Sequence, residues 1–323
     1  YAEGFDKNSY GTSWSMAKSF YAALIGISID RGEINGLDDK VNLYLDYFND
    51  ERSKITIRDL LNMSSGLEYP ENQHENMFFL NDHLEYSKSI GVEKEANTVF
   101  EYNNVNSMLL GDILEKATGK KADLLLNERI LDPIGVKNST VWTDNTGNPL
   151  AYCCIDMSAR DYSRFGLLFS RNGNWNGNQL ISKDFVDETF TEYWDVTPQW
   201  WTNAKRGYTL HWWVSKNDEE GSIFNASGKF GQYIFVDREN DIIFTRITKY
   251  HPTPGSIQDW GRLSRVEVNN IGRWLKLTRF LEKVGILDAD DLKTPNTRKD
   301  GESKEFYEIY GEVIDSISDL SRN

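Results

Sequence analysis

From Ser15 the chain reads SMAKSFYAALIGISIDRGEI, with Phe20, Ala23, Leu24 and Ile27 at helical spacing. A helix therefore starts at or near Ser15, and the rest of the chain has to bury its apolar face. Residues three apart share a helix face, so Lys18 lies within reach of the Ser15 hydroxyl. An ammonium cannot accept a proton. A lysine partly buried behind a nucleophile, near the positive end of a helix, has a lowered pKa and can act as a base. Ser-x-x-Lys arises by chance about once in a chain of this length, so the pair takes its meaning from what accompanies it.

Residues 15–190 read mainly as helices and loops, with a first helix to Asp30, a short one at 57–63, a longer one at 105–118 closed by Gly119, and another over 161–169. The turn-forming stretch 171–178 reads as a loop. After Gly207 the texture changes, and 208–215, 230–236 and 242–248 read as strands, the last two joined by a hairpin turn at 237–241. A helix with Ile271, Trp274, Leu275 and Leu281 on its apolar face follows over 268–284. This pattern describes an α+β chain in which a helical region precedes an antiparallel sheet. Residues 288–304 read as a charged linker. Beyond it Phe306, Ile309, Tyr310, Val313, Ile317 and Leu320 predict an amphipathic helix that packs back on its own domain.

With 323 residues, 39% of them hydrophobic and 13% aromatic, the chain can bury one large core or two closely packed ones. Its net charge of −14 disfavours nucleic acid and anionic membrane surfaces as partners. No run is apolar enough to span a bilayer. The two cysteines, Cys153 and Cys154, are adjacent, which rules out a disulfide framework and predicts two buried thiols.

Two further motifs bear on the chemistry. Tyr102-Asn103-Asn104 stands at the start of the 105–118 helix, where Tyr102 could share a proton with Lys18 and the Asn104 amide could hold both the lysine and a substrate carbonyl. A second Tyr-x-Asn, Tyr47-Phe48-Asn49, sits in a polar turn and reads as surface structure. In 226–236, ASGKFGQYIFV, glycines next to an alternating strand would let a substrate backbone approach the strand edge, as an oxyanion hole requires.

The order of these motifs resembles that of the serine hydrolases related to class C β-lactamases and DD-peptidases. Ser15-Met16-Ala17-Lys18 is similar to the first family motif, Tyr102-Asn103-Asn104 to the second and Ala226-Ser227-Gly228 to the third. Leu60-Leu61-Asn62-Met63-Ser64-Ser65-Gly66-Leu67 resembles the family's LLxHTSGL segment. Stretches 161–169, 173–180, 211–214 and 228–232 look most like the branch of 6-aminohexanoate-oligomer hydrolases and esterases, and the likeness runs from Tyr1 to about Val284. The resemblance implies a β-lactamase/DD-peptidase-like fold: a sheet domain from 1–30 and 205–285, a mainly helical domain from 31–204, and a linker and tail helix over 286–323. It implies attack by Ser15 on a small ester or amide, with Lys18 and Tyr102 as acid–base pair, either of them taking the first proton. Asn104, Ala226, Gly228 and Lys229 would line the substrate, and the backbone N–H groups of Ser15 and Lys229 would hold the oxyanion. No metal or other cofactor is required. A periplasmic or secreted bacterial location is favoured over the cytoplasm, and a homodimer is left open.

Two departures qualify this reading. The third motif carries Lys-Thr-Gly in class C β-lactamases and peptidases, whereas Ala226 stands here, which points to an esterase or amidase with poor β-lactamase activity. β-Lactamase or DD-peptidase activity, or a weakly active binding protein of the same fold, are the alternatives. Lys229 would restore a positive charge only if its place on the predicted strand allowed it. Family members also have a helix and two or three strands before the nucleophile, where this chain supplies only its first six residues, so one side of the sheet is expected to be incomplete. Gly11-Thr12-Ser13-Trp14-Ser15 lacks the closing glycine of a Gly-x-Ser-x-Gly elbow. His74, His83, His211 and His251 show no metal-binding spacing and read as core or surface residues. Trp200, Trp201, Trp212 and Trp213 fit a cleft or a core equally well.

Overall fold

A computed structural model describes residues 1, 5–70, 73–78, 80–191, 193–199, 205–216, 223–229, 231–248, 281, 284–286 and 304–321. Strand β1 (Tyr10–Thr12) leads through a 3-10 turn (Trp14–Met16) into α1 (Ala17–Asp30). Every residue of α1 from Ala17 to Ser28 is buried, so the helix needs an apolar environment on all sides rather than on one face. A helical block follows: α2 (Ile57–Leu61), α3 (Gln73–Phe78), α4 (His83–Ser89), α5 (Asn104–Thr118) and α6 (Ala122–Leu126). Thr56 and Asp59 form a capping box at the start of α2, Asn103 caps α5, and Gly119 ends α5 in the left-handed region at φ 71°.

Strands β2 (Thr140–Val141) and β3 (Ile155–Ser158) join β1 in a small sheet of order β1-β3-β2. Next come α7 (Ala159–Ser170), the hairpin β4 (Asn174–Trp175) and β5 (Asn178–Gln179), and α8 (Lys183–Thr189). The main sheet is an antiparallel meander of β6 (Trp194–Asp195), β7 (Lys205–Thr209), β8 (Trp212–Lys216), β9 (Ile223–Gly228), β10 (Gln232–Asp237) and β11 (Ile242–Arg246), each strand beside its neighbour in sequence. Helix α9 (Lys304–Ser321) closes the described chain.

Alternation along β9 and β10 explains the layering. Phe224, Ala226, Ile234 and Val236 point into the main core with α1 and α7, while Ile223, Tyr233 and Phe235 point to the opposite face and meet Ile314 and Ile317 of α9. The tail helix thus packs on its own sheet, as its periodicity predicts. On the other face, Phe20 of α1 stacks on Phe165 of α7 with ring centroids 3.6 Å apart, and Phe165 stacks in turn on Trp212. Each such buried ring contributes about 1.5–3 kcal/mol. Among the described residues, no helix is long and apolar enough to cross a membrane.

The structure corrects several sequence expectations. Residues 208–215 form not one strand but parts of β7 and β8, which reverse at Leu210 and His211 with φ 37° and 63°. No glycine, proline or asparagine marks that turn. Long-range hydrogen bonds hold it instead: Leu210 N to Asn62 Oδ1 at 2.8 Å, His211 N to the Leu61 carbonyl at 2.9 Å, and Ser19 Oγ to the His211 carbonyl at 2.7 Å. The stretch 171–178 contributes the β4–β5 hairpin rather than only a loop. Phe48, expected at the surface, is fully buried, and the Tyr47 hydroxyl donates to Asp112. Cys153 and Cys154 are buried, as expected, with their sulfur atoms side by side. The expected helix at 268–284 (apart from 281 and 284), the linker at 288–304 (apart from 304), Trp200, Trp201 and His251 lie outside the described residues.

Candidate active site

Ser15 stands in the 3-10 turn between β1 and α1, half-buried. Trp14, immediately before it, has φ 48°, a left-handed conformation that a tryptophan adopts only where its surroundings impose it. Those surroundings are visible. Ser13 N donates to the Ile155 carbonyl at 2.8 Å, Ser13 Oγ accepts from Ile155 N at 2.9 Å and donates to the Trp14 carbonyl at 2.9 Å, and Met16 N closes the turn on the Ser13 carbonyl. The turn is therefore clamped to the start of β3.

Helix α1 carries Lys18 one turn further on, with only 1% of its surface exposed. Lys18 Nζ lies 2.8 Å from Asn104 Oδ1, 2.8 Å from the Tyr152 carbonyl and 3.1 Å from Ser15 Oγ. Its remaining surroundings are the rings of Tyr102 and Tyr152, with centroids at 4.9 and 5.7 Å. Lys18 makes no ion pair among the described residues, and burial lowers its pKa well below the usual value. Asn104 and Tyr152 meet the amine with acceptor oxygens, so in its neutral form Lys18 would spend both N–H groups on them and turn its lone pair to the Ser15 hydroxyl.

Tyr102 precedes α5, and the segment 60–67 holds it in place. Glu101 N donates to the Met63 carbonyl at 2.8 Å, Asn103 N meets Met63 Sδ, and Ser65 Oγ donates to Asn106 Oδ1 at 2.6 Å. Tyr102 lies beside Ser15, and loss of hydration pushes its phenol up to about 12 against the opposing effects of Ser15 and the Arg206 charge. Tyr102, Asn104, Lys18 and Ser15 thus come together from two separate parts of the chain.

Strand β9 supplies the third side. A Cβ placed on Gly228 would stand 2.2 Å from the Ser13 carbonyl and 3.2 Å from Trp14 Cβ, so only glycine lets the strand end lie against the nucleophile turn. Ala226 is 1% exposed and belongs to the main core, where it offers no charge to the site. Lys229 is not on the strand but in the turn after it, half-buried and close enough to act electrostatically on His74.

Several neighbours of the site escape a reading of motifs. His74 contacts the Tyr102 carbonyl through Nε2 at 3.2 Å, and burial together with the Lys18 charge lowers its pKa to about 4. Trp213 stacks on Tyr102 with centroids 5.7 Å apart and planes at 20°, Tyr208 meets Tyr102 edge-on at 6.0 Å, and the Arg206 guanidinium lies 3.7 Å from the centre of the Trp213 ring. His83 and His211 are core residues, His83 bonded to the Tyr152 hydroxyl and His211 to Ser107. Among the described residues, no group of acidic, histidine or cysteine side chains could hold a metal ion.

The sequence matches the β-lactamase family over residues 6–266. It is 22% identical over 278 residues to the 6-aminohexanoate-dimer hydrolase of Paenarthrobacter ureafaciens, which covers 79% of this chain and 69% of that protein. A D-aminopeptidase of Brucella anthropi is 30% identical over 138 residues, a match spanning 40% of this chain and only 26% of the aminopeptidase. Among solved structures, a family VIII carboxylesterase is similar with a TM-score of 0.62 at 15% identity, over 82% of this chain and 83% of the other. The antiparallel sheet with its flanking helices is the fold that these proteins share.

Proposed function

The chain belongs to the β-lactamase family of serine hydrolases, and from that premise we propose that it cleaves a small neutral ester or amide through an acyl-enzyme on Ser15. The observation that carries this reading is the set of contacts of Lys18, whose Nζ lies 2.8 Å from Asn104 Oδ1, 2.8 Å from the Tyr152 carbonyl and 3.1 Å from Ser15 Oγ, so that in its neutral form it would give its N–H groups to the first two and accept the Ser15 proton. Lys18 accepts the Ser15 proton as Oγ bonds to the substrate carbonyl carbon. The carbonyl oxygen becomes an oxyanion, held by the backbone N–H groups of Ser15 and Lys229. The proton on Lys18 passes by way of Tyr102 to the leaving oxygen or nitrogen as the old bond breaks. Water then repeats the sequence in reverse: it gives a proton to the Tyr102–Lys18 pair, bonds to the acyl carbon, and Ser15 Oγ departs with a proton. Asn104 orients Lys18 throughout.

Ala226 favours neutral substrates, because that position offers no cation for a carboxylate. The test has two parts. A fluorophosphonate probe is expected to label the native protein and not Ser15→Ala, and p-nitrophenyl butyrate is expected to be hydrolysed faster than a chromogenic cephalosporin. The reverse ranking favours a β-lactamase or peptidase, and no labelling of either protein favours a binding role.

A further inference from the structure

The charge on Arg206 has no part in the steps above, yet its position ties it to them. Arg206 lies on β7, and the register opposes Arg206 to Ser215 and Tyr208 to Trp213, which places Arg206, Tyr208 and Trp213 on one face of the sheet. The arginine is 5% exposed, its guanidinium lies on one face of the Trp213 indole at 3.7 Å, and Tyr102 stacks on the same ring at 5.7 Å. A guanidinium, an indole and a phenol therefore form a continuous stack that ends at Ser15. We propose that Arg206 is a positioning residue for proton transfer at Tyr102: through Trp213 it fixes the phenol ring, and its buried charge stabilises the phenolate that forms as Tyr102 hands on a proton.

The other groups around Tyr102 do not supply that charge. From α1, Lys18 faces the ring, and burial acts against its charge. From α3, His74 touches the Tyr102 carbonyl and is held neutral. Tyr208 and Tyr69 bring neutral phenols, Ser15 brings a hydroxyl, and the adjoining Glu101 is engaged with Lys94 at 3.0 Å. Lys229 acts on His74 from the β9–β10 turn. At roughly 9 Å and an effective dielectric near 20, a unit charge moves a neighbour's titration by about one pH unit.

The inference rests on the proposed hydrolase mechanism, and its test is a pH profile of kcat/KM for the native protein, Arg206→Met and Arg206→Lys on one ester. Without the positive charge, the proton that must leave the Ser15–Lys18–Tyr102 set is held more tightly. The acid limb of Arg206→Met is therefore expected to move up by about one pH unit, and that of Arg206→Lys by less than half as much. Arg206→Gln serves as the neutral variant if Arg206→Met does not fold. A uniform loss of activity with the limb in place overturns the proposal, because it is what a purely structural role produces. Fluorophosphonate labelling of Ser15 in the native protein, run alongside, separates this failure from failure of the hydrolase reading itself.

Discussion

Gly228→Ala is the sharpest perturbation of the geometry that joins sheet and nucleophile. The added methyl would stand 2.2 Å from the Ser13 carbonyl oxygen, with Gln232 Cβ at 3.1 Å and Trp14 Cβ at 3.2 Å, so it cannot rotate away from the clash. Relief to an ordinary carbon–oxygen contact requires the strand end and the Ser15 turn to separate by about 1 Å. A displacement of that size at reacting groups lowers catalysis about 100-fold. The fold loses far less, because the turn keeps its hydrogen bonds to β3 and the overpacking at a strand end costs about 1–2 kcal/mol. Gly36→Ala is the control, since nothing lies within 4 Å of its added methyl. The assay is ester hydrolysis and fluorophosphonate labelling rate, with thermal unfolding measured on the same samples. Gly228→Ala with native turnover refutes the argument, and so does a collapse of stability that accounts for the whole loss of activity.

Two further outcomes follow from buried titratable groups. Lys18 has a folded pKa well below its unfolded value near 10.5, so the unfolded chain binds the extra proton and the native state loses stability as pH falls below that value. Lys18→Met is therefore expected to abolish turnover yet to gain in Tm relative to the native protein at pH 7, with the difference shrinking as pH approaches 10.5; a Tm difference independent of pH contradicts the neutral amine. Asp156 accepts from Thr12 Oγ1 and from Trp142 Nε1 at 2.8 Å, has no ion pair among the described residues, and burial raises its pKa to about 6. Its folded pKa exceeds the unfolded 3.8, so the native state loses stability as pH rises from 3.8 to 6. Asp156→Asn keeps both hydrogen bonds by turning its oxygen to Trp142, and thermal melts are expected to show it stabilised by about 3 kcal/mol above pH 6 and unchanged below pH 4.

Helix α1, the helix behind Tyr102 and the β10–β11 hairpin were legible because each carries a local signal: 3.6-residue spacing, a closing glycine, two β-rich runs about a polar turn. The Ser15–Lys18 pair was legible for the same reason, since it lies within one turn. What could not be read was set by contacts distant in sequence. The β7–β8 reversal has no turn residue, because Asn62, Leu61 and Ser19 supply its hydrogen bonds from the helical block. Arg206 carries no motif, and Trp213 fitted a cleft or a core equally well until the register stacked one on the other. Lys229 was assigned to a strand one residue too far, and that single position decides whether its side chain lies along the sheet or in the turn at the site.

The charges around Ser15 explain why a buried lysine is tolerable there. A carboxylate beside Lys18 would have held it as an ammonium and removed the base, whereas its partners are an amide oxygen, a peptide carbonyl and two aromatic rings. The nearby charged groups that act on its neighbours Tyr102 and His74 are Arg206 and Lys229, both cationic, in a chain whose net charge is −14. Each of them favours negative charge on an oxygen close by. Acyl transfer develops negative charge on the substrate oxygen while a proton is in transit between amine and phenol. In the proposed mechanism those cations would stabilise the charge that appears once Ser15 attacks, and the burial that makes the lysine costly is also what would make it a base.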